Sequence, residues 1–289
     1  MHQKPVFSEI VALAESRGCQ IWQVVLEREE AGQGIGRQEL WQKMSAYWEV
    51  MSRAVLEGTN PGYKSLSGLV GEEGALLKQY AAAGKTLAGN TTALAAARAM
   101  GVAVINAAMG KIVAAPTAGS CGILPAVLLT VAEITGADRE GIIGALFTAA
   151  GVGVVIDTVA TTSGAEGGCQ AECGAASCMA AAAAVELAGG TPQQAANAGA
   201  IALKSIIGLV CDPVAGLVEV PCVKRNAMGA SNALLAADMA LAGIESKIPL
   251  DEVIEAMKEV GDALPCSLKE TAQGGLANTP TARRIEKMI

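Results

Sequence analysis

Hydrophobic positions in the first part of the chain recur with a helical period. Ile21, Val24 and Val25, then Leu40, Met44, Tyr47, Trp48 and Met51, fall at i, i+3, i+4 and i+7 spacings among ordinary charged residues. Residues 6–57 are therefore expected to be amphipathic helices divided near Gly32–Gly36, with Trp22, Trp41 and Trp48 as packing anchors. At Gly58 the pattern stops. The stretch GTNPGYKSLSGLVGEEGALL is rich in glycine and serine and reads as a long loop of the kind that carries function. Helical patterning resumes behind Asn90 or Thr91 as an N-cap and runs to about Met109. Further helices are expected from about Ile123, over about 138–152, 168–188 and 192–210, from about Ala227, and over 250–261. The helix at 192 has Thr191 as its cap and Pro192 in its first turn. No strand-like alternation appears, so the expectation is an all-α chain. It is read as one domain over 1–289, with an amphipathic part at 1–57 and the unusual motifs in 58–289.

Composition sharpens this picture. Hydrophobic residues make up 52% of the chain and charged ones 17%, against roughly 25% charged in an ordinary domain. The apolar mass is alanine and branched aliphatics, which suits closely packed helices buried on most faces. So little charge leaves part of the surface to a partner, and an oligomer is expected. The uncharged run Gly141–Ile156 spans 16 residues, short of the roughly 20 that cross a bilayer. It has neither an aromatic belt nor basic flanks, so core helices and no membrane partner are expected. The N-terminal MHQKPVFSEIVALAESRG lacks the apolar core of a signal peptide. A cytoplasmic location follows as the expectation, and there the eight cysteines would stay reduced. A net charge of −7 argues against nucleic acid.

Candidate chemistry gathers at three places. Ser163–Ala184 holds Cys169, Cys173 and Cys178 behind a Gly-Gly pair. That is either a soft-metal site or a set of core thiols, since free cysteine is also a common buried hydrophobe. In KIVAAPTAGSCGILPAV the small residues around Thr117, Ala118, Gly119 and Ser120 expose backbone N–H groups ahead of a helix, a possible cradle for a carboxylate, or merely a turn. In CDPVAGLVEVPC, Cys211 and Cys222 sit beside Pro213 and Pro221, where helices break. His2 is the one histidine, which removes histidine-based triads and zinc sites, and no phosphate-binding GxxxxGK[ST] is present.

The segments SGAEGGCQAE, CDPVAGLVEVPCVKRNA, KIVAAPTAGSCGILPAV, KETAQGGLANTP and SLSGLVGEEGALL together resemble the alpha subunit, or alpha domain, of the iron–sulfur-dependent L-serine dehydratases, over about residues 50–280. The resemblance implies that 58–289 is a catalytic part converting L-serine to pyruvate and ammonia. It implies a 4Fe-4S cluster held by Cys169, Cys211 and Cys222, which lie 42 and then 11 residues apart, with Cys173 and Cys178 as bystanders. Three ligands leave one iron open to the substrate hydroxyl, where it acts as a Lewis acid, and no pyridoxal phosphate is implied. Thr117, Ala118, Gly119, Ser120 and Ser67 become substrate-binding candidates. Lys111, Thr117, Ser120 and Asn226 become catalytic candidates, with Lys224 and Glu166 as further possible bases. In two-subunit members a beta subunit carries a Ser-Ser-His-Thr-like segment of the pocket. None occurs here, so a beta partner is expected. Some members end in a cysteine that caps the open iron. This sequence ends Lys287-Met288-Ile289, which leaves Cys266 as the substitute to consider. An electron-transfer or non-catalytic iron–sulfur helical protein is the alternative reading.

Overall fold

A computed structural model describes residues 6–289, and His2 lies outside them. The described residues form thirteen α-helices and no strand, so the fold is all-α. In chain order they are α1 (Phe7–Arg17), α2 (Ile21–Gln33), α3 (Arg37–Gly58), α4 (Glu73–Ala82), α5 (Asn90–Ala107), α6 (Ile123–Thr135) and α7 (Arg139–Val159). There follow α8 (Gly164–Gly167), α9 (Ala175–Leu187), α10 (Pro192–Lys204), α11 (Cys222–Leu241), α12 (Leu250–Ala263) and α13 (Pro280–Glu286).

The centre is α9. Its sequence AASCMAAAAAVEL is apolar on every side, and all residues from Ala175 to Glu186 are buried. A helix without a polar face has to be surrounded, and α6, α7, α10 and α11 enclose it. Alanine side chains keep those neighbours close. The amphipathic helices α1, α2 and α3 cover this inner layer with Phe7, Ile21, Leu26 and Trp48. Trp22 meets Trp41 edge-on at 5.4 Å, and Trp41 stacks on Phe147 of α7 at 5.8 Å, so both are anchors. The α3 and α5 backbones touch where they cross. A Cβ on Gly58 would lie 2.2 Å from the Gly101 carbonyl oxygen.

Several boundaries differ from the sequence pattern for local reasons. The long loop after Gly58 ends at α4, which begins at Glu73. Gly89, not Asn90 or Thr91, occupies the cap of α5, and the helix stops at Ala107 as Met109 turns left-handed, φ 61°. α7 continues to Val159 because Gly151 and Gly153 fit against Val25 and Met179. The helix expected over 168–188 is broken into α8, a π-helical turn at Gln170–Gly174, and α9. α10 ends at Lys204 rather than near 210, before Gly208 at φ 90°. α11 starts at Cys222, five residues before Ala227, with Pro221 at its cap. Two stretches, Ala118–Thr135 and Arg139–Val159, are long and apolar enough to cross a membrane, with mean hydropathies of 1.6 and 2.0. Each is 67% buried in the fold, against α9 and its neighbours.

Candidate active site

Three breaks in the helical layer deliver three cysteines to one region. Cys169 follows Gly168, whose φ of 77° and close approach to the Leu209 carbonyl (3.0 Å from an added Cβ) suit only glycine. Gln170 then fastens this turn to the segment that leads to Cys211. Its backbone N–H donates to Leu209 O at 3.0 Å, and its side-chain oxygen accepts from Gly208 N at 2.8 Å. Cys211 is held in turn by the C-terminal segment, donating to Leu268 O at 2.9 Å and accepting from Glu270 N at 2.7 Å. Cys222 opens α11 directly after Pro221. All three are buried. Π-helical turns are rare and often mark functional sites, and here one separates Cys169 from α9.

The thiols share one electrostatic environment. Burial pushes Cys222 up to about 12, with the charges of Cys169 and Glu172 adding to it. Burial also raises Cys211, helped by Glu172, Cys169 and Cys222. Cys169 goes the other way. Its sulfur lies 3.5 Å from that of Cys173, and this hydrogen-bond contact holds it below the usual thiol range, assisted by Arg225. Arg225 donates to Asp212 at 2.8 Å and to Val210 O at 2.9 Å, bracing the chain on both sides of Cys211. Cys178 and Cys121 are core thiols raised by burial, the latter to about 12, while Cys266 is exposed. Cys173 was expected to be a bystander, yet it touches Cys169.

Among the described residues no three Cys, His, Asp or Glu side chains converge as a single-ion site would require. A four-iron cluster makes a different demand, for separate thiolates around a larger body. The donors present, three buried cysteines from three segments beside one arginine, fit that chemistry.

Glu172 stands in the middle of these features, 9% exposed. One carboxylate oxygen accepts from Thr117 Oγ1 at 2.7 Å, and the other from Cys211 Sγ at 3.6 Å. A Cβ on Gly119 would come within 2.8 Å of this carboxylate and one on Gly164 within 2.6 Å, so both motif glycines make room for it. Burial raises its proton affinity, the Thr117 hydrogen bond opposes this, and the charge of Glu270 adds to the rise. The pattern offered a signal for this residue. Glu172 is the sole charge between Gly167 and Val185, and a charge in a fully buried run has to be partnered.

The expected site residues separate into two groups. Thr117, Ala118, Gly119 and Ser120 form a short 3-10 turn against Glu172, with Ser120 fully buried and within 3.3 Å of the Thr117 hydroxyl. Asn226 is fully buried and spends its amide on backbone, accepting from Gly122 N and donating to Gly119 O and Cys222 O. It braces the turn against the Cys222 end of α11. Ser67 is not free either, since Ser65 and Ser67 both donate to Glu219 Oε2 at 2.6 Å. That latch ties the SLSG loop to the residues just before Cys222. Of the three expected bases, Lys111 is exposed without an ion pair among the described residues, Lys224 pairs with Glu73 at 2.6 Å, and exposed Glu166 accepts from Thr161. None of them makes a hydrogen bond or ion pair with Glu172 or the cysteines among the described residues.

Known proteins resemble this chain along most of its length. The chain is 51% identical over 281 residues to the probable L-serine dehydratase, alpha chain, of Bacillus subtilis strain 168, covering 97% of this chain and 93% of that one. It is 45% identical over 283 residues to the L-serine dehydratase, alpha chain, of Peptoniphilus asaccharolyticus, covering 96% of each. Against the L-serine dehydratase of Streptomyces coelicolor it is 39% identical over 280 residues, covering 93% of this chain and 59% of that longer protein. Residues 16–277 match the serine dehydratase alpha chain family, and the chain belongs to that family.

Proposed function

We propose that this chain is the cluster-binding alpha subunit of an L-serine ammonia-lyase acting with a beta chain. The observation that carries the reading is the meeting of Cys169, Cys211 and Cys222, buried and drawn from three segments, with the Thr117–Ser120 turn at the Glu172 carboxylate. Those cysteines would hold a 4Fe-4S cluster, which supplies a Lewis acid for departure of the substrate hydroxyl. The rest falls to the protein. Ala118 and Gly119 open a 3-10 turn and have no acceptor within it for their N–H groups, which suits the substrate carboxylate. Burial of the surrounding thiols and of Ser120 keeps bulk water away from the reacting carbon. Loss of the Cα proton and the Cβ hydroxyl, together one molecule of water, forms a carbon–carbon double bond. The resulting enamine tautomerises and hydrolyses to pyruvate and ammonia. Among the described residues no lysine pairs with Glu172 or the cysteines, and the longer Streptomyces relative fits a pocket completed by further chain. The test is anaerobic reconstitution with iron and sulfide, followed by metal analysis and pyruvate assay with and without the beta chain. Wild type should load iron and turn over L-serine only with its partner. A Cys211→Ala chain that kept both its iron and its activity would overturn the assignment.

A further inference from the structure

The amino group of the proposed substrate still lacks a partner, and Glu172 has the geometry to provide one. Its carboxylate is boxed in by Thr117, Gly119, Gly164 and Cys211, so it is fixed at the junction of the substrate turn and the cysteine segments. Among the described residues no cation forms an ion pair with it. Arg225 is the positive group in its surroundings, and that guanidinium already serves Asp212 and Val210 O. The charge of Glu270 acts on it as well, so the region carries an excess of negative charge. Of its two hydrogen-bond donors, the Cys211 thiol is a weak one and stands 3.6 Å away, which leaves Oε2 without a strong donor. An incoming ammonium supplies that donor and offsets the charge. The turn N–H groups suit the substrate carboxylate, and the cluster, when bound, would take the hydroxyl.

Resting on the function proposed above, we infer that Glu172 is a specificity-determining residue that receives the substrate α-ammonium. The site thereby selects 2-amino acids over the corresponding 2-hydroxy acids. The Thr117 hydroxyl keeps the carboxylate aimed while the ammonium takes the open oxygen.

The experiment compares ligands that differ only at the 2-position, on the reconstituted complex with its beta chain. L-alanine and L-lactate are titrated by calorimetry, and L-glycerate is run as an inhibitor of L-serine turnover. Wild type should bind L-alanine at least about 10-fold more tightly than L-lactate, the size of effect expected when a buried charged group loses its partner. Glu172→Gln should raise the L-alanine dissociation constant and the L-serine KM by about 10- to 100-fold, with the L-glycerate inhibition constant and the iron content unchanged. Equal binding of alanine and lactate by wild type overturns the proposal, as does a loss in Glu172→Gln shared equally by all ligands. Should Glu172→Gln fail to load iron, Glu172→Asp keeps the charge one methylene further back. Loaded Glu172→Asp must weaken L-alanine but not L-lactate, and an unchanged ratio overturns the assignment. If neither variant loads, the wild-type comparison decides. Calorimetry needs no turnover, so a complex that discriminates the ammonium yet makes no pyruvate would refute the activity and leave this inference standing.

Discussion

Replacing Glu186 by glutamine should change how the stability of this chain depends on pH. Glu186 lies near the end of α9, 5% exposed, and accepts from the Ile21 backbone N–H at 2.6 Å and from the Thr148 hydroxyl. It thus caps α2 from a helix 165 residues away in sequence. Burial pushes its carboxyl from the ordinary 4.5 up to about 7, more than its hydrogen bonds lower it. The native state therefore holds a proton that the unfolded chain releases. Its stabilising effect is whole below about 4.5 and is lost as pH rises through about 7. A shift of this size corresponds to about 3 kcal/mol at full extent. Glutamine copies the protonated carboxyl, with its oxygen available to Ile21 and its amide to Thr148. The two chains should then match within about 1 kcal/mol near pH 5, with Glu186→Gln the more stable by about 3 kcal/mol near pH 8. Urea unfolding followed by far-UV circular dichroism, on identically prepared samples, measures the difference at each pH. Other titrating groups, Glu172 among them, cancel in that comparison. A gap that stays constant between the two pH values would refute the reasoning.

Three further outcomes are expected. Gly101→Ala puts a methyl 2.6 Å from the Gly58 backbone, and since backbone cannot rotate away, the thermal midpoint should fall with a loss of about 3 kcal/mol; an unchanged melt would show that α3 and α5 can part. Asn226→Ala strips partners from Gly122 N, Gly119 O and Cys222 O, at a cost of about 2–4 kcal/mol in urea unfolding. Cys173→Ala removes the contact that lowers Cys169. Reconstitution should then need higher pH while the final iron count stays the same, and a lost iron would make Cys173 a ligand.

What the sequence determined by itself is the secondary structure class and the identity of the motifs. Periodic apolar positions over 6–57 and an alanine run too apolar to face water leave little but packed helices, because 3.6-residue periodicity is a local property. The ends of elements were less legible. Gly151 and Gly153 look like breakers, yet they lie within α7 because Val25 and Met179 fill the space beside them. The site belongs mostly to the tertiary structure. Spacing grouped Cys169 with Cys173 and Cys178, while the fold sends Cys178 into the core and draws Cys169 toward Cys211 through Gln170. Asn226 and Ser67 carried suitable chemistry in the sequence, and only the fold revealed that their polar atoms are spent on backbone and on Glu219. Glu172 was missed in the sequence although it is a lone charge in an apolar run, because its role depends on Thr117, Cys211 and two glycines arriving from distant segments. Hydrogen-bond partners and burial are relations between remote parts of a chain, and no local spacing encodes them.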